Sequence, residues 1–575
     1  MTEPLPQPAG ARLWQFARGL WQPRLVPAPA RRLLRRAYLS GLERVQDRRR
    51  RTEGVLAWRL RLRLLVPVRG QSPAAVRATV ASLRAQSYPE WEAYVVPDVP
   101  GDLPVAIERK IGPADPRVAI WREPPSGRPN AALNAAIAAP GADYVALVSP
   151  GDTLTEHALW RVAELLNQVP DADVVYTDEQ LGSGWRARAG TRVRKPDWSP
   201  ELAISDAYVS GLCVYRRALA ADAGGLREEF DLAREYDLLL RLHARGAHVA
   251  HVPAVLHRRA SEAPARSGAW SAEVARAVTD HLRRVQAEAE YVPPSEAGPH
   301  RVRYRVRGGA RVSIVIPTIG TKTRDVGGRT TDLLANTVRS IAERTAHRDF
   351  EIIYVHDRPL RPETLAVVAA AGVPVRAVPY DRPFNWSDKM NAGAASATGD
   401  HILALNDDVE VLDGEWLTAL LEFSQQAPIG AVGGMLYFPD GSIQHAGVAI
   451  RGGLPGHPYY GLPPEAQAGV PELRAVRNCS AVTGACLMTR LAVFRDVGGF
   501  NVNFPLNYND VDYCLRVRAR GYRVVFTPHA RLYHYEAVSR GRIADATGVS
   551  AAERERFVRA WPDVLRRDPF DAVRS

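Results

Sequence analysis

Cysteine is scarce: four of 575 residues, Cys213, Cys479, Cys486 and Cys514, with no CxxC pair and no histidine at zinc-ligand spacing. That excludes a disulfide framework and a zinc site, and it suits a reducing compartment. Long apolar runs are also missing. No stretch reaches the roughly 18 residues needed to cross a bilayer, and the first residues lack the apolar core of a signal peptide. The expectation is a cytoplasmic protein, at most peripheral at the inner membrane. Lysine is rare beside arginine, yet the formal net charge is +12. Such a balance suits a phosphate-bearing partner or an anionic membrane surface. Zinc-finger, KH and RNP-type motifs are absent and the positive charge is dispersed, so a nucleic-acid partner is not expected.

What is present is a folding composition, 46% apolar and 24% charged. The length exceeds what one core organises and points to two large domains. Residues 1–55 are expected to form a basic, partly helical extension, with Trp14, Phe16, Leu20 and Trp21 near its start and an arginine run from Arg48 to Arg51. It suits either an anionic membrane surface or packing on its own domain. From about residue 57, short β-branched runs alternate with helix-like stretches, which predicts α/β domains with mostly parallel central sheets flanked by helices. Strands are expected at Leu64–Val68, Ala93–Val96, Tyr144–Val148 and Asp173–Tyr176. A proline-rich stretch from Val292 through Pro299 breaks the pattern, which restarts at Val312. The division is therefore 1–55, a domain at 56–290, a linker at 291–310, a domain at 311–545 and a helical tail at 546–575.

The second half replays the first. Leu65-Val66-Pro67-Val68 matches Val315-Ile316-Pro317-Thr318, 250 residues on, and Asn134 through Asp143 matches Asn391 through Asp400, 257 residues on. Arg241 through Gly246 matches Arg516 through Gly521, 275 residues on. The chain reads as two copies of one α/β domain.

In the second copy, polar residues collect where ligands bind in open parallel sheets, at the carboxyl ends of the strands. Val312–Thr318 ends in a hydroxyl, and Glu351–Val355 delivers His356 and Asp357. Ile402–Leu405 runs into Asn406-Asp407-Asp408, an acidic strand end that suits Mg²⁺ or Mn²⁺ completed by substrate phosphates. Taken alone, that strand end fits a solvated turn or helix cap equally well. About a hundred residues later, Asn507 through Arg516 opens an apolar helix pattern with acids, and Leu532 through Glu536 carries His534.

These segments resemble glycosyltransferase family 2, from about 57 to 545. The motifs that carry the resemblance are VSIVIPT at 312–318, PFNWSDKMNAGAASATGD at 383–400, LALNDDVEV at 403–411 and GGMLYFPDGSIQHAG at 433–447. TGACLMTR at 483–490, GGFN at 498–501, NDVDYCLR at 509–516 and RLYHYEAVSRG at 531–541 complete the set. Several look closest to rhamnosyltransferase-like enzymes of bacterial O-antigen and other surface polysaccharides. The resemblance implies two tandem GT-A, Rossmann-like domains and a metal-dependent inverting transfer from a nucleotide-sugar donor to a saccharide, expected to be lipid-linked. It implies a divalent metal, Mn or Mg, on Asp408 and His534, with Asp510 as the catalytic base. Thr318, Asp357, Asn385, Asp388, Asn391 and Asp407 fall on the donor side. Gly484, Ala485 and Asp512 fall on the acceptor side, although Gly484 and Ala485 equally fit a tight helix entry.

The first copy reads as disarmed. Ser149-Pro150-Gly151 falls opposite Asn406-Asp407-Asp408, with Asp152 one place beyond; Glu235 falls opposite Asp510, and Arg258 opposite His534. Arginine does not ligate a cation. YTDEQ at 176–180 and PDWSPEL at 196–202 survive nonetheless, so this copy is expected to be a scaffold for acceptor, lipid or partner. The alternatives are a second, metal-independent transferase using Arg258 against phosphate, or a chain that is wholly a non-catalytic scaffold of a polysaccharide assembly complex.

Overall fold

The computed structural model describes residues 56–97, 107, 115–122, 130–182, 191–260, 268–294, 298–321, 323–326, 329–535 and 551–571. The expected extension at 1–55 lies outside them. The chain divides into two units, Met1–Arg59 and Leu60–Ser575, and both domain copies belong to the second unit.

Each copy is built on one curled sheet. The first contains β1 (Leu62–Val68), β2 (Trp91–Pro97), β3 (Val118–Ile120), β4 (Tyr144–Leu147), β5 (Thr153–Leu154), β6 (Val174–Gln180), β7 (Cys213–Arg216) and β8 (Val249–Arg258). Their order is β3-β2-β1-β4-β7-β6-β8-β5. A hairpin of β9 (Ala289–Val292) and β10 (Arg301–Tyr304) follows. The second sheet contains β11 (Val312–Thr318), β12 (Phe350–His356), β13 (Val375–Pro379), β14 (His401–Leu405), β15 (Val409–Val411), β16 (Ile429–Tyr437), β17 (Cys486–Arg490) and β18 (Arg523–His534). Its order, β13-β12-β11-β14-β17-β16-β18-β15, repeats the first strand for strand. In both, the half that begins the chain is parallel and the joining strand, β7 or β17, is antiparallel.

The expected strands are present: those at Leu64 and Ala93 are longer by two and three residues, the one at Tyr144 ends at Leu147, and the one at Asp173 begins at Val174 and runs on to Gln180. β11 is buried along its whole length, as a strand covered on both faces must be. Its side chains alternate between two apolar cores: Val312, Ile314 and Ile316 enter one with Trp416 and Leu420, while Val315 enters the other with Met390 and Phe500.

The stretch expected to be a linker is instead the β9–β10 hairpin. Val302 packs among Phe230, Tyr236 and Val278 of the first copy, and Tyr304 meets Phe423 of the second edge-on. Arg301 pairs with the buried carboxylate of Glu422 at 2.5 Å. The surviving PDWSPEL motif lies at the seam between the copies. Ser199 donates to Asn478 Oδ1 at 2.7 Å, Glu201 pairs with Arg523 at 2.8 Å, and Asp197 pairs with Arg567.

Candidate active site

A cleft of about 790 Å³ opens at the carboxyl ends of β11 and β14. Thr318, Asp407, Asp408, Gly484, Ala485, Asp510 and His534 line it together, although they are spread over more than two hundred residues of chain.

Asp407 and Asp408 follow the apolar β14, which fixes them at its exit. Both are buried. Thr318 Oγ1 donates to Asp407 Oδ2 at 2.7 Å, so these two expected donor-side residues hold each other. Asp408 Oδ1 lies 3.0 Å from His534 Nε2, because β15 pairs with the end of β18 and sets Val409 beside His534. His534 Nδ1 bonds Gln444 Oε1 at 2.6 Å, which places the ring proton on Nδ1 and the lone pair on Nε2. Asn406 Nδ2 reaches that nitrogen at 3.1 Å. A buried carboxylate oxygen and an imidazole lone pair facing each other at this distance fit a shared cation. Among the described residues, no group of three or more His, Cys, Asp or Glu side chains converges on a metal position. The donor set therefore fits an ion that keeps much of its shell for water and phosphate oxygens, as Mg²⁺ and Mn²⁺ do.

Asp510 opens α2 (Asn509–Ala519). Its Oδ2 accepts from Gly484 N at 2.9 Å and its Oδ1 from Val511 N at 2.8 Å. Tyr508 just before it has φ = 61°, the left-handed region, which swings the chain into the helix. Gly484 is required by close approach: a Cβ there would lie 2.8 Å from the ring of Trp386 and 3.4 Å from Asp510 Cβ.

Four expected donor-side residues do not line the cleft. Asn385 caps α1 (Trp386–Ala395), accepting from Asp388 N at 3.0 Å, and donates to Val502 O at 2.8 Å. Asp388 accepts from the Tyr380 hydroxyl at 3.0 Å and pairs with Arg382. Asn391 clamps Phe500, donating to its carbonyl at 2.8 Å and accepting from its amide at 2.9 Å. Asp357 pairs with the buried Lys389 at 2.6 Å. On the acceptor side, Asp512 is withdrawn as well. It pairs with Arg516 at 2.8 Å, one helical turn on, and accepts from Trp561 Nε1 at 3.1 Å.

The cleft also contains residues that the sequence did not single out. Lys389 donates to Thr318 O at 2.8 Å and lies under the rings of Tyr380 and Phe384. Its signal was rarity, a lysine inside a motif of an arginine-rich chain. His445 accepts from Gly447 N at 3.3 Å and meets His457 Nδ1 at 2.9 Å. Burial, with the neighbouring His457, Arg477 and His534, pushes its pKa well below the usual imidazole range, so it is a neutral hydrogen-bonding group. Glu553, from the tail, also reaches the cleft.

The equivalent corner of the first copy is built differently. Arg258 pairs with Thr153 along the strands but is exposed. The side chain that meets the acid is its neighbour: His257 Nε2 lies 3.2 Å from Asp152, whose other oxygen accepts from Ala260 N at 2.9 Å. At this corner the contact with the carboxylate is thus made by His257 and not by Arg258, the residue aligned with His534. Glu179 approaches His257, Arg259 and Lys195. Burial opposes the charge on His257, but the Asp152 and Glu179 carboxylates outweigh it and hold its pKa above the ordinary value. Gly211 covers this cluster so closely that a Cβ would stand 2.7 Å from His257 Nδ1 and 2.8 Å from Glu179 Oε2.

Two mixed sheets of identical strand order, each with a polar strand-end corner, define tandem nucleotide-sugar transferase-type GT-A domains. Residues 310–557 match the family described as "Glycosyltransferase like family 2" and residues 64–218 match "Glycosyl transferase family 2". The chain belongs to glycosyltransferase family 2. It is 37% identical over 488 residues to the Myxococcus xanthus O-antigen biosynthesis protein RfbC, a match covering 83% of this chain and 37% of that protein. It is 31% identical over 152 residues to N-acetylglucosaminyl-diphospho-decaprenol L-rhamnosyltransferase of Mycobacterium tuberculosis, covering 25% of this chain and 49% of that one. The chain thus spans less than half the length of these relatives. A solved structure of GalNAc-T7 with UDP, GalNAc and Mn²⁺ aligns at 15% identity and a TM-score of 0.36, over 46% of this chain and 50% of that one. No described helix is long and apolar enough to cross a membrane.

Proposed function

We propose that the second copy is an inverting transferase moving a sugar from a nucleotide-sugar donor to a hydroxyl of a saccharide acceptor in bacterial surface-polysaccharide synthesis, with a lipid-linked acceptor. The observation that carries this reading is the single cleft that brings the Asp408–His534 corner together with Asp510. Asp408 and His534, with Asn406 beside them, would hold Mn²⁺ or Mg²⁺, which supplies charge neutralisation to the departing diphosphate. Asp510 takes the proton of the acceptor hydroxyl as that oxygen bonds to the anomeric carbon. The bond from that carbon to the phosphate oxygen breaks in the same displacement, releasing nucleoside diphosphate and inverting the centre. The Gly484 amide fixes the carboxylate, and the absence of a Cβ leaves room beside it. The relatives' names in O-antigen and rhamnosyl transfer support the pathway class.

The first copy is read as a retained scaffold, because Asp152 and Glu179 already have protein partners. The test is a turnover screen of nucleotide sugars with Mn²⁺ or Mg²⁺, comparing the native chain with Asp408→Ala and Asp510→Asn. One donor turned over, with inversion and with loss in both variants, is the expected result. Absence of binding by every nucleotide sugar under every metal condition would sink the reading in favour of a non-catalytic assembly scaffold.

A further inference from the structure

Asp510 is fixed from inside the fold by the Gly484 amide, but the loop that delivers it is held from outside. That hold comes from α3 (Ala551–Ala560), which follows the second domain in the chain. Glu553 is 4% exposed. Its Oε1 accepts from the backbone amides of Leu506 at 3.1 Å and Asn507 at 3.0 Å, and its Oε2 accepts from Asn507 Nδ2 at 2.9 Å. One turn on, Phe557 stacks on Tyr508, with ring centroids 4.6 Å apart and planes 14° apart. A further turn on, Trp561 donates to Asp512. Residues 553, 557 and 561 share one helix face, and that face grips 506–507, 508 and 512 in succession. Asp510 lies between the last two grips. Buried amides left without a carboxylate would seek other partners, and the left-handed turn at Tyr508 would lose the anchor immediately before it.

We propose that Glu553 is a positioning residue for the transfer reaction: its carboxylate holds the 506–509 segment and so sets where Asp510 stands in the cleft. This rests on the reading of Asp510 as the base. Glutamine can reproduce the hold, since its amide oxygen accepts the two backbone protons and its NH₂ faces a turned Asn507 amide. Alanine cannot. Because Glu553 borders the cleft, water can reach the abandoned amides, and the Glu553→Ala chain should fold.

The experiment uses the full chain and three variants: Glu553→Ala, Glu553→Gln and Asp510→Asn. It measures kcat and KM for the donor identified in the screen, and calorimetric binding of dTDP, UDP and GDP with Mn²⁺. It also measures amide hydrogen exchange over 504–512. Expected for Glu553→Ala are a fall in kcat of up to about 100-fold, the scale of a misplaced reacting group, native nucleotide binding, and faster exchange confined to 506–509. Glu553→Gln should restore all three to native. The proposal is overturned by native kcat or unchanged exchange in Glu553→Ala, by equal damage in Glu553→Gln, or by nucleotide binding lost in step with kcat. Full activity in Asp510→Asn would instead overturn the base assignment, while the exchange data still report whether Glu553 holds the segment.

Discussion

The two copies have the same strand order but not the same corner, and the contrast separates residues that build the fold from residues free to do chemistry. Asn134 clamps Leu226 through both backbone groups, at 2.8 and 2.7 Å, as Asn391 clamps Phe500. Arg241 pairs with Asp237 and bonds Ala223 O and Gly225 O, as Arg516 pairs with Asp512 and bonds Val497 O and Gly499 O. These devices recur in both halves, so they brace the domain. Where the halves diverge is the pairing of acids at the sheet corner. Asp152 accepts from a backbone amide and meets His257, while Asp408 stands beside an imidazole whose proton points away. At the helix start of the first copy, burial raises the pKa of Glu235 from its ordinary value.

The largest expected effect breaks the symmetry outright. Asp510→Asn should lower transfer by about 10²- to 10⁴-fold, the usual reach of a general base, while Glu235→Gln leaves it unchanged; steady-state kinetics on both chains decide. Equal losses would mean that both copies work. Next, Asp408→Ala should weaken Mn²⁺-dependent nucleotide binding by more than about tenfold, since even outer partners of a metal are worth that much. Asp152→Ala should not change it, as calorimetry would show.

The shared brace gives a smaller, matched effect. Asn134→Ala and Asn391→Ala should each lower unfolding stability by about 1–3 kcal/mol, the cost of stranding buried backbone groups, read from urea midpoints. If Asn391→Ala weakened nucleotide binding at unchanged stability, it would return to the donor side. The acid response should be alike in the two halves, and at mildly acidic pH it is small. Burial lowers His281 in the first copy and His401 in the second to about 4, below the ordinary 6.5. Between those values the unfolded chain binds the proton and the folded chain does not, so stability is intact above pH 6.5 and declines as pH falls toward 4. Each histidine contributes a slope of about 1.4 kcal/mol per pH unit. His281→Gln or His401→Gln should each flatten the pH dependence of the urea midpoint by one proton.

Much of this was legible in the sequence. Apolar runs such as Val312–Thr318 mark strands, because a buried strand can have no polar face, and the recurring offsets reveal the duplication. The order of Asp408, Asp510 and His534 led to one cleft because strand ends converge there. What stayed hidden was the direction of side chains. Asn391, Asp388 and Asp512 belong to the same motifs as the cleft residues, and motif membership does not distinguish a group facing a ligand from one bracing a helix. The β9–β10 hairpin was masked by its prolines, which read as a break although Pro293, Pro294 and Pro299 all lie between the two paired strands. Glu553 carries no signal at all, since its partners are backbone amides some forty-six residues away.

The seam between the copies has a historical consequence. Glu422, Asn478 and Arg523 of the second half each depend on a partner supplied by the hairpin or by the PDWSPEL stretch. Once such groups are buried against a neighbour, deleting the neighbour leaves a charge or amide stranded, at a cost of several kcal/mol for each ionic pair. On the proposed reading of the first half as a scaffold, its chemistry was therefore open to drift, whereas the half itself was not. Dependence of this kind works as a ratchet, which retains both copies of a duplication whether or not both react.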